Sequence, residues 1–348
     1  MRKPGKQRLA IVGAGPAGLA AAWKLRDADD IEITVFEKSL GLLGRAATRS
    51  RHGLRLDPGA NYFRTDLPEV AELIHDQLST NELIQINGDV DVFDRHGGMA
   101  AGDSTLNGET KWTYRSGINT LGKMLAAAAG CEICYGVRIA QVRWQRGTAA
   151  WRLTDVFDVD RGVFDAVLLV LPAPQAIELV GPEEADVAEA LSQATYQSQW
   201  SFTFGFDAGE VTWPGDFYAL VNQDRQHRIA WLSRENAKRN RVPEHTLVVM
   251  AQMQPEWSLV NFEEPAEQLA LEVAAMIAEL FGWGAADFRW LDVQRWRFSL
   301  PTGRADVDML RAAESRGLYV AGDSVVGKGR VAYALQTGLD VAERIRGR

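Results

Sequence analysis

The chain has 348 residues and a mass of 38.4 kDa, with 46% hydrophobic and 24% charged side chains, enough apolar material for one elaborate domain or two. Its 38 basic and 46 acidic residues give a formal charge of −8, which works against binding nucleic acid or an anionic membrane but leaves local arginines free to grip a small anion. Only two cysteines are present, so no disulfide framework holds the fold and a cytoplasmic location is expected.

MRKPGKQ reads as a short basic tail, not a leader, because glycines and a proline break the apolar run that follows it, and no later segment reads as a membrane span. RLAIVG at 8–13 predicts a buried strand, the Ala and Leu spacing over 16–26 a helix, and IEITVFE at 31–37 a second strand. Next come a Gly/Arg-rich loop, a turn in LRLDPGANYF, a helix over 69–79, and a hairpin at 87–100 that should lie outside the first sheet. Cys131 and Cys134 have CxxC spacing, but they sit in an alternating run that reads as a strand. A zinc site needs about four ligands and no second cluster exists, so core packing is the better account.

From 136 onward, GVRIAQVRW and WRLTDVFDV alternate like an antiparallel meander, and DAVLLVLP is continuously apolar, like a buried parallel strand. Strands are expected at 198–206, 228–233 and 246–253. A helix at 265–281 should cover them with Leu269, Val273, Ile277 and Phe281. GLYVAGD and a helix from about 330 to 346 close the chain. His52, His75, His96, His227 and His245 have no metal spacing, and no GxSxG or HExxH motif supports a hydrolase.

Gly13, Gly15 and Gly18 form GAGPAG at a strand–helix junction. The first permits a tight turn, the second lets a pyrophosphate approach the backbone, and the third allows helix and strand to pack closely. Glu37 ends the next strand, where an acid accepts hydrogen bonds from ribose hydroxyls and disfavours a 2′-phosphate, so FAD or NAD is expected over NADP. GDSVVGK at 322–328 mimics a P-loop, but Gly329 stands where such a loop needs Ser or Thr for Mg²⁺. YVAGD at 319–323, followed by a helix whose N-terminus could face a flavin ring, and the Gly44–Arg45 loop complete a pattern that resembles the glutathione-reductase-like flavoproteins.

Within that superfamily the chain resembles the renalase-like relatives of monoamine oxidase. The segments that carry the likeness are AIVGAGPAGLAAA, FEKSLGLLGR, LDPGANYFRTD, Trp112 to Leu121, LVLPAPQA, LSRENAKRNR, EWSLVNF, RWRFSLPTG and GLYVAGDSVVGKGRVAYALQTG. The resemblance implies an α/β fold of p-hydroxybenzoate hydroxylase-like topology. A Rossmann-type FAD-binding domain (parallel sheet plus antiparallel meander; 8–70, 110–174 and 304–348) would carry an inserted α+β substrate domain (71–109 and 175–303). It also implies non-covalent FAD. Gly13, Gly15 and Gly18 would meet the pyrophosphate, Glu37 the adenosine ribose, and Arg45 the phosphate region, with Pro16, Ala17, Lys38 and Gly44 as further cofactor-binding residues. Val137 would meet the adenine edge through its backbone, Asp323 the ribityl chain or phosphate, and Val331 the flavin pyrimidine through its backbone, with Gly322, Arg330 and Ala332 as further cofactor-binding residues.

Asn61, Tyr62, Trp200, Trp296 and Phe298 would wall the substrate pocket, Asn61 also touching the cofactor, and Arg49, Arg51, Arg234 and Arg239 are candidates for substrate phosphates. No catalytic acid or base is evident, which suits hydride transfer by positioning. The implied activity is oxidation of a small planar donor, a 2- or 6-dihydro isomer of NAD(P)H, with O₂ as acceptor and peroxide as product. An amine oxidase, a desaturase and a flavin-dependent sensor or scaffold are the competing readings. Asn61 stands where the family carries Gln, and Met250 or a neighbour where it carries His, which leaves the choice of substrate open.

Overall fold

The computed structural model describes residues 5–284 and 287–347; the first four residues of the basic tail lie outside them. β1 (Gln7–Val12), α1 (Pro16–Lys24) and β2 (Ile31–Glu37) form the expected opening unit. β3 (Arg49–Arg51) and β4 (Leu54–Leu56) make a small hairpin. α2 (Pro68–Glu72) widens into a π turn over Leu73–Gln77, within the span read as one helix. β5 (Leu83–Gln85), the hairpin β6 (Val90–Phe93) and β7 (Met99–Ala100), α3 (Ser104–Gly108), β8 (Trp112–Tyr114), α4 (Thr120–Ala129) and β9 (Glu132–Tyr135) follow.

The meander is β10 (Ile139–Gln145), β11 (Ala150–Asp155) and β12 (Asp160–Phe164), one strand more than the alternation suggested, and β13 (Ala166–Leu169) returns to the first sheet. After α5 (Ala173–Val180) and α6 (Ala185–Ser192) come β14 (Tyr196–Asp207), β15 (Ala219–Asn222), β16 (Ile229–Arg234) and β17 (Thr246–Met253). α7 (Pro255–Val260), α8 (Ala266–Phe281), β18 (Trp290–Pro301), α9 (Val307–Glu314), β19 (Leu318–Val320), α10 (Asp323–Val326) and α11 (Val331–Arg346) complete the chain.

Five parallel strands lie in the order β19-β13-β1-β2-β9. Side chains alternate across this sheet. Leu9, Ile11, Ile33 and Val35 pack with α1, α4 and α11, while Ala10, Val12, Val167 and Leu169 pack with the meander, α5, α6 and α9. α11 can lie against α1 because Gly338 has no side chain; a Cβ there would fall 2.1 Å from the Ala17 carbonyl. Cys131 and Cys134 pack into these two different cores, so the CxxC residues do not face each other. The double variant C131S/C134S is expected to keep full flavin content and turnover, checked by absorbance and peroxide release; loss of turnover only on oxidation of the wild type would contradict this.

The second sheet has the order β18-β14-β17-β16-β15-β6-β7 and is antiparallel except where β6 runs alongside β15. Both faces of β18 carry polar or charged residues, which hid it from a search for alternation. Register divides the sheet into two unlike faces. One holds Phe202, Phe204, Val249 and Ala251 under Leu269, Val273 and Ile277 of α8. The other holds Thr203, Met250, Ser233 and Asp292 as cross-strand neighbours, with Ser201 beside Gln252 and Gln294. Segment 57–61, leaving β4 of the small hairpin, lies against this polar face.

Candidate functional site

The turn from β1 to α1 is shaped by glycine. Gly13 has φ +108°, and a Cβ on Gly18 would fall 2.4 Å from the Gly13 carbonyl oxygen. A Cβ on Gly15 or on Gly322 (φ +108°) would meet nothing within 4 Å, and Gly44 abuts Gly15. These residues leave a bare backbone cradle at the carboxyl ends of β1 and β19. α1 and α11 both begin without a side-chain cap, so the N–H groups of Ala17 and Gly18, Pro16 having none, and those of the first turn of α11 are left to donate to anionic or carbonyl oxygens. The cradle and its donors fit a dinucleotide.

Glu37, 5% exposed, accepts hydrogen bonds from the backbone N–H groups of Ala14 and Ser39, each at 2.8 Å, and from the Ser39 hydroxyl. It thereby ties the end of β2 to the glycine turn. The Val137 N–H already donates to the Glu37 carbonyl at 3.0 Å, so only the Val137 carbonyl is left for an adenine edge. Lys38 and Arg330 are exposed, while Val331 and Ala332 are buried at the start of α11.

The charged groups assigned to different parts of the cofactor meet each other. Arg45 donates to Asp323 Oδ2 at 2.6 Å and Oδ1 at 3.0 Å, and to the Phe298 and Ser299 carbonyls. The Tyr196 hydroxyl donates to Asp323 Oδ1 at 2.8 Å, and burial, reinforced by Asp323, pushes the phenol pKa up and keeps it a neutral donor. Sequence reading missed Tyr196, because no local motif marks a tyrosine whose partner lies 127 residues away. The P-loop mimic is occupied by these same contacts. Lys328 lies over Tyr333, and a Cβ on Gly329 would strike Leu300 at 2.3 Å.

Of the pocket candidates, Asn61, Tyr62 and Trp296 lie on or against segment 57–62, and Phe298 lies two residues further along β18. Asn61 donates to the Asp57 and Gly59 carbonyls and to Met250 Sδ at 3.4 Å, and accepts from Ser233 Oγ at 3.2 Å. The two departures from the family pattern therefore touch each other. Gln252 and Trp296 donate to the Gly59 and Pro58 carbonyls, and Phe298 meets Tyr196 edge-on at 6.1 Å. Trp200 is a correction: register turns it to the apolar face, where it stacks on Phe202 and donates to the Asn261 carbonyl, so it is core and not pocket wall.

The arginines considered for phosphate binding are also corrected in part. Arg49 and Arg51 pair with Asp292, Arg234 donates to the Gly215 and Asp216 carbonyls, and Arg239 is exposed. Beneath segment 57–61 lies a buried ionic cluster that sequence reading did not find. Asp57 accepts from Arg241, from Lys238 at 3.4 Å and from Thr48 at 2.7 Å, and Lys238 also pairs with Glu235 at 2.8 Å. Asp57, Glu235 and Lys238 are 0% exposed and Arg241 is 5%.

Comparison with known proteins agrees with this geometry. Residues 11–77 match the NAD(P)-binding Rossmann-like domain, and residues 84–346 match the flavin containing amine oxidoreductase family. A 70-residue segment is 41% identical to protoporphyrinogen oxidase 2, chloroplastic/mitochondrial, of Arabidopsis thaliana. It takes in 20% of this chain and only 14% of the plant protein. A candidate protoporphyrinogen oxidase from Exiguobacterium sp. 255-15 superposes with a TM-score of 0.78 at 18% identity, over 97% of this chain and 98% of that one. Putrescine oxidase bound to putrescine superposes at 0.74 and 14%, over 99% of each chain. At such identities these structures speak for the fold alone. The fold and bare cradle define a Rossmann-type flavoprotein with a parallel-sheet cofactor domain. More particularly, the chain belongs to the flavin containing amine oxidoreductase family. It is an FAD-dependent oxidoreductase, and among its described residues no helix is long and apolar enough to cross a membrane.

Proposed function

We propose that this flavoenzyme is a renalase-like oxidase that takes a hydride from a small planar donor, a 2- or 6-dihydro isomer of NAD(P)H. FAD, when bound, accepts the hydride at N5 and passes two electrons to O₂, so that donor, O₂ and one proton give NAD(P)⁺ and H₂O₂. In this reading the glycine cradle seats the pyrophosphate, Glu37 the ribose and the start of α11 the pyrimidine edge. Arg45 exchanges part of its hold on Asp323 for a phosphate oxygen. Segment 57–61, held by Gln252, Trp296 and Asn61, positions the donor ring, while Tyr62, Trp296 and Phe298 exclude water from its face.

The observation that carries the reading is chemical economy at Asn61. Its amide is engaged with the Asp57 and Gly59 carbonyls, Met250 and Ser233, and among the described residues no titratable side chain hydrogen-bonds to it. A donor that needs only orientation suits such a place; one that must lose a proton to a base does not. A second reading, a porphyrinogen as the donor, is favoured by the segment shared with the plant protoporphyrinogen oxidase.

Anaerobic stopped-flow mixing of the holoenzyme with 2-, 4- and 6-dihydro isomers of NAD(P)H, amines and a porphyrinogen tests these readings. Rapid flavin bleaching by a 2- or 6-dihydro isomer, then peroxide on admitting air, is expected. Bleaching by an amine or by the porphyrinogen alone would overturn the proposal.

A further inference from the structure

Around Tyr62 the fold gathers hydrogen-bond donors that it does not satisfy. The Tyr62 ring lies 6.2 Å from Tyr218 and 6.3 Å from Trp231, and those two rings are 6.1 Å apart. Arg64 sits over the Tyr62 ring at 5.9 Å. The Tyr218 hydroxyl, Trp231 Nε1 and Arg64 Nε are all buried without a partner. Phe63 bridges Trp112, which sets Lys111 beside Arg64 on the neighbouring strand, on the same side as Tyr62.

Lys111 is only 4% exposed, yet its ammonium has no hydrogen-bond or ion-pair partner among the described residues. Burial pushes it below lysine's ordinary range; Asp89, the nearby acid, opposes that shift and Arg64 adds to it. Arg64 pairs with Glu109 at 2.8 Å and donates to the Leu106 carbonyl, the unmatched Glu235 Oε1 belongs to the ionic cluster and faces Tyr218, and the exposed Asp89 carboxylate has no hydrogen-bond or ion-pair partner among the described residues. Buried donors without acceptors are costly, and a cluster of them around one ring calls for a ligand rich in acceptor oxygens.

We propose that Lys111, Arg64 and Trp231 form the subsite for an anionic group of the donor substrate, a phosphate or carboxylate carried by the ring that passes Asn61 and Tyr62. This rests on the reading above that the donor approaches along segment 57–62. It assigns the enzyme to anionic donors and makes the rim repel amine cations. Lys111 is a specificity-determining residue in this scheme, remote from hydride transfer.

The test uses FAD-loaded wild type, Lys111→Met, which keeps the stem and removes the charge, and Trp231→Phe, which removes only the indole N–H. Three donors are compared by flavin bleaching: a 6-dihydro dinucleotide, the matching riboside without phosphates, and a carboxylate-bearing porphyrinogen. Lys111→Met is expected to raise the half-saturating concentration of at least one anionic donor about tenfold, and Trp231→Phe about threefold. The riboside should stay within about twofold, and the limiting reduction rate should not change. Half a molar salt should shrink the difference. Which anionic donor responds tells phosphate from carboxylate.

Lys111→Met should melt no lower than the wild type, since the ammonium it removes holds no partner among the described residues. A fall in melting temperature would make Lys111 a structural partner of Asp89 and overturn the inference, as would an equal effect on the riboside. If no dihydropyridine bleaches the flavin, the proposed function fails, and the subsite is read separately from flavin difference spectra with inorganic pyrophosphate and citrate. A perturbation weakened by Lys111→Met would uphold it, and one unchanged by the substitution, or none, would overturn it.

Discussion

Replacing Asp57 by alanine is expected to cost the folded protein about 3–5 kcal/mol, the range for removing one member of a buried ion pair. Asp57 is wholly enclosed with Lys238, Arg241 and Glu235, two acids against two bases, so its loss leaves an uncompensated positive charge where water cannot reach. Asp57→Asn keeps the volume and one acceptor for Thr48 and the Ile118 N–H, so a comparable loss in that variant assigns the cost to charge and not to a cavity. Urea denaturation of the holoenzyme provides the measurement, and a loss below about 1 kcal/mol in both would show that the cluster relaxes or admits solvent.

The same group sets an acid limit. Burial by itself would raise the Asp57 carboxyl, but Arg241 and Lys238 together outweigh it and hold the group below its ordinary value of 3.8. A carboxyl depressed on folding contributes stability that is complete above the unfolded pKa and disappears as the pH falls through the folded one. Stability should therefore decline below about pH 4 in the wild type and more shallowly in Asp57→Asn.

Gly18→Val should remove the cofactor. Even an ideal Cβ lies 2.4 Å from the Gly13 carbonyl oxygen and 2.9 Å from Val170, and the first contact is backbone that cannot rotate away. α1 must move outward, carrying its uncapped N–H groups from the cradle. An overpacking strain of about 3 kcal/mol transferred to cofactor affinity corresponds to about a hundredfold weaker FAD binding. The purified variant should be nearly colourless and regain its flavin spectrum only at high added FAD. Normal retention would mean that the Rossmann turn is not where the pyrophosphate is held.

What could be read in the sequence was local. The βαβ opening occupies about thirty residues, and glycine spacing, the strand before it and the acid after it are fixed by short-range backbone sterics and a period-two pattern. The hairpin at 87–100, α8 and the DAVLLVLP strand were legible because each carries its signal within a short stretch: an alternation around a glycine turn, an apolar stripe at helical spacing, and a continuous apolar run that is buried on both faces. Family segments added the remaining parts of the cofactor domain in their order along the chain.

Contacts between distant segments were not legible. Trp200 and Thr203 are three residues apart on one strand but face opposite sides of the sheet, and only the pairing of Thr203 with Met250 and Asp292 reveals which side is polar. Asp57 finds Lys238 and Arg241 across 181 and 184 residues, Tyr196 finds Asp323 across 127, and the isolation of Lys111 is visible only once every neighbour is in place. The sequence by itself determined that this chain would cradle a dinucleotide, because a turn's geometry is dictated by the residues within it. Tertiary structure alone decided which charges are neutralised and which are left to meet a ligand, because burial and pairing depend on strand register and on side chains brought together from the whole chain.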